Sequence, residues 1–404
     1  MLKVLFPLIP LLLSAGILLG GTGLLGTFVP IRAGQEGFSP IVIGLFGSAF
    51  FAGFLAGCLV VVRMIAKVGH IRSFAVLAAL CASATILHAL AINPYLWLVA
   101  RAIVGFAIAG LFMAVESWLA ERAPKAERGR VLGIYRVVDL SFVTVGQFIL
   151  PWVGPEGFTL FGIIAILYCL ALIPISLMDA PAPKVPEYKP LKLSEVWKIS
   201  PLAVLAAVTT ALTNSAFRQV GPLYASELGL DLTQVATFMT MAIVGGAISP
   251  IPLGWMSDRI SRRWVILGTT GIAALAGLYL SFIPASDPYQ LYIGSLMFGA
   301  FAMPLWSLSL AHAADFAKPG AFIHLSAGLS IYFGLAAIFG PIISALVIDQ
   351  LGAQYFFSYT TLVHASLIVF ALYRMQKRPG PEKKRPFRAF NRTSAGIFRL
   401  GKRR

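Results

Sequence analysis

The sequence contains twelve apolar runs, each close to the roughly 20 residues a helix needs to cross a bilayer's hydrocarbon core. They fall at 4–30, 41–62, 73–92, 96–119, 131–154, 157–178, 200–226, 233–256, 264–284, 290–313, 321–348 and 355–375. Inside a bilayer no water satisfies the backbone, so runs of this length are read as α-helices, which pair their own N–H and C=O groups. Composition closes the soluble alternative: 58% of the residues are hydrophobic and 12% charged, about half the charge of a soluble domain. The connections are short, which favours antiparallel neighbours. The expected fold is an all-α integral membrane protein with twelve transmembrane helices. Residues 1–178 form the first six-helix bundle and 200–375 the second. A Pro- and Lys-rich loop at 179–199 separates them, and a basic tail occupies 376–404. The first run is too long for a signal-peptide core and lacks a convincing cleavage site, so it reads as an uncleaved span.

The charge left in the chain is lopsided, with 32 Lys and Arg against 16 Asp and Glu. Twenty-eight of the basic residues fall on one side of the runs and only Arg32 on the other; Arg101, Arg136 and Arg218 lie within spans. The positive-inside rule then places both termini and the central loop in the cytoplasm, in an inner or plasma membrane. The tail holds eleven of these residues with Phe387, Phe390, Ile397, Phe398 and Leu400 interleaved. Such a segment is drawn to anionic lipid headgroups, and no nucleic-acid-binding fold is present to suggest that partner. Cys58, Cys81 and Cys169 lie inside apolar runs without metal or disulfide spacing, so neither a metal nor another cofactor is expected. No Walker-type phosphate loop occurs, so the energy source is not the chain's own ATP hydrolysis.

A shift of 192 residues brings Pro30 onto Pro222, Gly37 onto Gly229, Gly53 onto Gly245, Lys67 onto Arg259 and Gly69 onto Ser261. A constant offset through an outer loop, a span and an inner loop predicts two pseudo-symmetric halves. Transporters use such halves to enclose a midplane site.

The loop after the eighth run reads Gly254-Trp255-Met256-Ser257-Asp258-Arg259-Ile260-Ser261-Arg262-Arg263. It resembles the G-x-x-x-D-R-x-G-R-R signature of the major facilitator superfamily, and the resemblance extends over all twelve spans. It implies a cytoplasmic gating motif in which Asp258 pairs with nearby arginines, formed in one state and broken in the other. The competing reading is that Arg259, Arg262 and Arg263 only mark the cytoplasmic side. The matching first-half loop, with Lys67, Gly69 and Arg72, has Ala66 where the acid belongs, which puts an acid-centred latch there in doubt. Arg63 to Phe74, Glu116-Ser117-Trp118-Leu119, Arg128-Gly129-Arg130 and Tyr135 look like the uncharacterised YcaD-like branch, which brings no established substrate. Arg101 to Gly105 resembles the family's fourth-span R-x-x-x-G element. Gly146 to Gly154-Pro155 and Gly334 to Gly340-Pro341 resemble its Gly/Pro-rich element, although ordinary helix packing explains them as well.

An ionisable group inside a span is expensive and normally faces a polar interior. Arg136 and Asp139 are three residues apart on one helix face and can pair. The candidate cavity residues are Arg101, Glu116, Arg136, Asp139, Asn214, Arg218 and Gln219. Asp139 is the expected proton carrier and Glu116 the second candidate. Each has a bland counterpart: a permanent Arg136–Asp139 pair, a snorkelling Arg101, and a Glu116 paired with Arg122 or Arg130. His88, His312, His324 and His364 are scattered over four spans, and His70 falls in a loop; none has metal spacing. Trp306 and Tyr332 are expected to pack, with stacking on a substrate the alternative.

The expectation is a secondary transporter of a small molecule, monomeric, driven by protons and working by alternating access. Three intramembrane arginines favour an anionic or zwitterionic substrate. A proton-driven exporter of hydrophobic drugs is the alternative within the class, and a non-transporting receptor or scaffold the alternative outside it. An intramembrane enzyme is not expected, because no Ser/His, paired-Asp or His-metal set shares one depth.

Overall fold

The computed structural model describes residues 6–124, 127–177, 193–284, 286–317, 322–377 and 387. The N-terminal Lys3, most of the central loop and nearly all of the tail fall outside them, as does the His324 side chain. Within the described residues the chain is helical. The first half comprises α1 (Ile9–Gln35), α2 (Pro40–Val68), α3 (His70–Leu90), α4 (Pro94–Arg122), α5 (Arg128–Gln147) with α6 (Ile149–Val153), and α7 (Thr159–Leu170) with α8 (Leu172–Ser176). A short helix, α9 (Leu193–Ile199), precedes the second half and meets the next helix at a bend of 112°. The second half comprises α10 (Pro201–Glu227), α11 (Leu232–Ile248) with α12 (Pro250–Arg259), α13 (Arg262–Phe282), α14 (Pro288–Ala302) with α15 (Leu305–Phe316), α16 (Phe322–Leu351) and α17 (Phe356–Lys377). Among the described residues eleven helices are long and apolar enough to cross a membrane, and the bent pair of α9 and α10 passes the same measure together, for up to twelve. Internal contacts divide the chain into two compact units, one from Met1–Phe38 and Leu45–Glu187, the other chiefly from Tyr188–Arg392 with Ser39–Gly44.

The repeat read from the sequence is present in the helix ends. A shift of 192 carries α1 onto α10 and α3 onto α13 at both ends. From the fourth span the shift becomes 194, carrying α4 onto the α14–α15 span. The two extra residues lie in the loop before the fourth span of each half, which is 91–93 in the first half and 283–287 in the second. Gly37 and Gly229, matched in the sequence, both take a positive φ, +79° and +85°. Each ends its helix with the same pair of backbone bonds, Gly37 to Gly34 and Phe38 to Ala33, Gly229 to Ser226 and Leu230 to Ala225. Only a residue without Cβ adopts that left-handed turn without strain.

The tight helix crossings repeat as well. A Cβ on Gly53 would strike the Ala102 carbonyl, and one on Gly105 the Phe50 carbonyl. In the second unit Gly245 meets Leu296 and Gly299 meets Ala242 in the same reciprocal way. These are the same positions under shifts of 192 and 194. In lipid no solvophobic force drives helices together, so such backbone approach supplies the packing energy. The Gly/Pro elements belong to this set: Gly146 lies on the Gly20 carbonyl of α1, and Gly340 on the Leu212 carbonyl of α10. Around the crossings the first unit packs Phe28, Phe46, Trp97 and Phe161, and the second packs Phe217, Tyr224, Phe238, Phe298 and Phe357.

Candidate functional site

In the first unit the span-four and span-five candidates lie on consecutive helices. Arg136 and Asp139 form a direct ion pair on α5. Their neighbour Tyr135 is buried. Glu116 itself is 2% exposed. Arg136, Asp139 and Tyr135 thus share α5, and Glu116 lies on the helix before it. Sequence reasoning had found the acids and the arginine but treated Tyr135 only as part of a resemblance. Its signal was position, next to Arg136 and a helical turn before Asp139.

Arg101 is buried rather than snorkelling at a span end. It is 2% exposed, and its guanidinium carbon lies 4.9 Å from the centroid of the Phe50 ring. Its charge also acts on Tyr168 of α7 and His88 of α3. His88 is fixed by a 2.7 Å bond to the Ala84 carbonyl and lies against Trp97 and Phe161.

The second unit presents neutral polar groups. Asn214 is fully buried midway along α10, and among the described residues neither its amide nitrogen nor its oxygen has a hydrogen-bond partner. Trp306, buried at the start of α15, leaves its indole N–H equally unsatisfied and packs its ring on Phe333. Helix α10 packs on α15. By helical rise Asn214 stands about 20 Å from the first residue of α10, and Trp306 about 15 Å from the last residue of α15; the two spans run antiparallel, so their depths are comparable. A buried polar group without a partner costs about 1–3 kcal/mol, so both residues are candidates for contact with a ligand. Gln219 is buried and Arg218 exposed, so the cluster read from α10 divides between core and surface. Tyr332 has a packing role: its hydroxyl donates to the Leu193 carbonyl of α9 at 3.1 Å.

At the end of α12 Asp258 pairs with Arg262 at 2.8 Å. Arg262 also donates to the Ala311 carbonyl at 2.9 Å and to Asp315 at 2.8 Å. Arg262 and Arg263 are both buried, Arg263 against the Phe316 ring and Arg259 over Trp255. Asp315 was not anticipated; a lone acid at the end of the tenth run was its only mark in the sequence.

The matching first-half loop is built differently. Gly69, with φ +88°, is the single residue between α2 and α3, whereas its counterpart Ser261 has φ −60°. Lys67 and Arg72 are exposed. His70, expected in a loop, is the buried first residue of α3, with Nε2 2.9 Å from the Ser117 hydroxyl and its ring against Trp118. His70 and Arg262 are equivalent under the shift of 192, and Ser117 and Ala311 under 194. The same junction is thus closed by an imidazole and a hydroxyl in one half, by a guanidinium and a carbonyl in the other. Among the described residues no cluster of His, Cys, Asp or Glu has the makings of a metal site.

A family model described as Major Facilitator Superfamily matches residues 11–243 and 203–404. The chain is 23% identical over 387 residues to an uncharacterized MFS-type transporter of Yersinia enterocolitica, covering 94% of this chain and 98% of the relative. It is 23% identical over 385 residues to the uncharacterized MFS-type transporter YcaD of Escherichia coli, with coverage of 92% and 97%. Among solved structures, the nucleoside transporter NupG superposes with a TM-score of 0.72 at 13% identity, covering 91% of this chain and 98% of that one. A D-xylose-proton symporter superposes with 0.73 at 16% identity, covering 94% and 100%.

Proposed function

We propose a coupling mechanism for this chain, which belongs to the Major Facilitator Superfamily and is a multi-pass membrane transporter rather than an enzyme. It moves a small anionic or zwitterionic molecule by alternating access, and a proton carried at Asp139 drives the cycle with Glu116 as the second acid. Both termini and the gating motif face the cytoplasm, and the basic tail meets anionic headgroups. Arg136 is the countercharge that Asp139 and the substrate anion compete for, and Arg101 adds positive charge to the same unit.

The observation that carries this reading is an asymmetry within a symmetric fold. Under the register that aligns the tight crossings, Arg101 falls on Ser295, Glu116 on Leu310, Arg136 on Ser330 and Asp139 on Phe333. The second unit builds the same helices and crossings with neutral residues at all four places. The fold therefore does not need these charges, each of which is costly in a span. Their retention in one unit supports a role in carrying charge. The likeness to a proton symporter is one of fold, and the coupling argument rests on this chain's own acids.

A thermal-shift screen of the purified protein against organic acids, amino acids, nucleosides and cationic drugs identifies the ligand, since a ligand of the folded state raises its melting temperature. Uptake into proteoliposomes under an imposed pH gradient then tests the coupling. The expected result is an anionic or zwitterionic ligand whose gradient-driven accumulation is lost in Asp139→Asn while binding persists. Full pH-dependent accumulation by Asp139→Asn, or a ligand set of cations only, refutes the assignment.

A further inference from the structure

Phe387 belongs to the basic tail and stands beyond α17, the last helix. Its backbone N–H donates to both carboxylate oxygens of Asp258, at 2.8 and 3.0 Å. Its ring lies on Gly254, where any side chain would collide with it. It also packs against the buried cluster of Leu253, Val265, Ile266, Leu305 and Leu308. The seat is thus assembled from α12, α13 and α15, the three elements joined by the Asp258–Arg262–Asp315 chain. A glycine notch beside an apolar floor takes an aromatic ring, and a carboxylate at its rim takes an amide. Phe387 supplies both.

We propose that the C-terminal tail docks through Phe387 in this seat and, while docked, holds the α12–α13 turn in its Asp258–Arg262 paired state. A tail that leaves the seat gives up the two amide bonds on Asp258 and frees the turn to break its pair. The tail is then a built-in control element of the gating motif. The control rests on the transporter reading above, whereas the docking does not.

Limited proteolysis reads the docking without any substrate. The full-length protein in zwitterionic lipid nanodiscs is exposed to trypsin, and cleavage of the bond after Arg388 is timed against the bond after Arg399 by mass spectrometry. Docking predicts at least tenfold protection at Arg388, abolished by Phe387→Ala and by Gly254→Leu, and kept in Phe390→Ala. Equal cleavage in the wild type and Phe387→Ala overturns the docking. So does protection that needs anionic lipid and survives in Phe387→Ala, which assigns the tail to headgroups instead. The control is read by electron–electron distance measurements between spin labels at Lys67→Cys and Trp264→Cys in a background without the native cysteines. Phe387→Ala is expected to change the ratio of the distance populations at least threefold. An unchanged distribution in a variant that has lost protection overturns the control and leaves the tail a static anchor.

Discussion

Arg262 offers a sharp test of which acid holds the α12–α13 turn together. Its side chain is 2% exposed and is shared between Asp315, fully buried, and Asp258, whose side chain is 39% exposed. Removing one partner of a buried pair strands the other charge and costs about 3–5 kcal/mol. A partly exposed pair is worth about 0–1 kcal/mol. Asp315→Asn is therefore expected to lose about 3–5 kcal/mol, and Asp258→Asn no more than about 1 kcal/mol, even though Asp258 is the acid of the signature. At tenfold per roughly 1.4 kcal/mol, the first lowers the folded-to-unfolded ratio by about two to three and a half orders of magnitude. Replacing both members, Arg262→Met with Asp315→Leu, removes the stranded charge and should return most of the loss. Reversible unfolding in mixed micelles, followed by tryptophan fluorescence, measures all four proteins. If Asp258→Asn proves as damaging as Asp315→Asn, or the double variant as damaging as the single, the assignment of the load to the buried pair is wrong.

The repeat predicts matched penalties: Gly105→Ala and Gly299→Ala each drive a Cβ into a backbone carbonyl and should cost about 1–3 kcal/mol, the overpacking range, in the same unfolding assay. Asn214→Leu removes an amide that makes no hydrogen bond among the described residues, so the ligand-free melting temperature should hold or rise while the shift produced by a screened ligand shrinks. Ser117→Ala takes the hydroxyl from His70 and should cost about 1 kcal/mol, less than Asp315→Asn at the equivalent junction. Arg136→Gln should abolish ligand-induced stabilisation by anions and leave that by neutral compounds, if any bind, unchanged.

The spans were legible because a bilayer allows a 20-residue apolar run few other fates, and the helix ends follow the runs closely. The repeat was legible where glycine was required, at Gly37, Gly53 and their partners, because turns and crossings tolerate no substitute. Gly299 escaped notice because its alignment needs a shift of 194, and the two-residue insertion responsible lies in the loop before the second half's fourth span, which has no pattern of its own. The pairing of Arg136 with Asp139 followed from helical spacing. What spacing within one helix could not give was partnership between helices: Asp315 with Arg262 and Ser117 with His70. His70 and Ser117 are 47 positions apart and Arg262 and Asp315 are 53 apart, and only tertiary packing brings them together.

The two units share a fold and divide its chemistry. Unit one carries Arg101, Glu116, Arg136 and Asp139 on α4 and α5; unit two carries the buried Asn214 and Trp306, the exposed Arg218 of α10, and the Asp258–Arg262–Asp315 chain at the α12–α13 turn. If charge were spread for structural reasons, the equivalent positions 295, 310, 330 and 333 would be expected to hold some of it, and they hold Ser, Leu, Ser and Phe. The division has a consequence that separates carriage from recognition. Moving a neutral polar group out of unit two, as in Asn214→Leu, should change which ligand binds and leave the pH dependence of uptake in place. Removing the proposed proton carrier of unit one, in Asp139→Asn, should do the reverse. Uptake of one ligand at several external pH values in both variants measures the two effects separately. A common loss of affinity and of pH dependence in each variant would mean that one set of residues both recognises and couples.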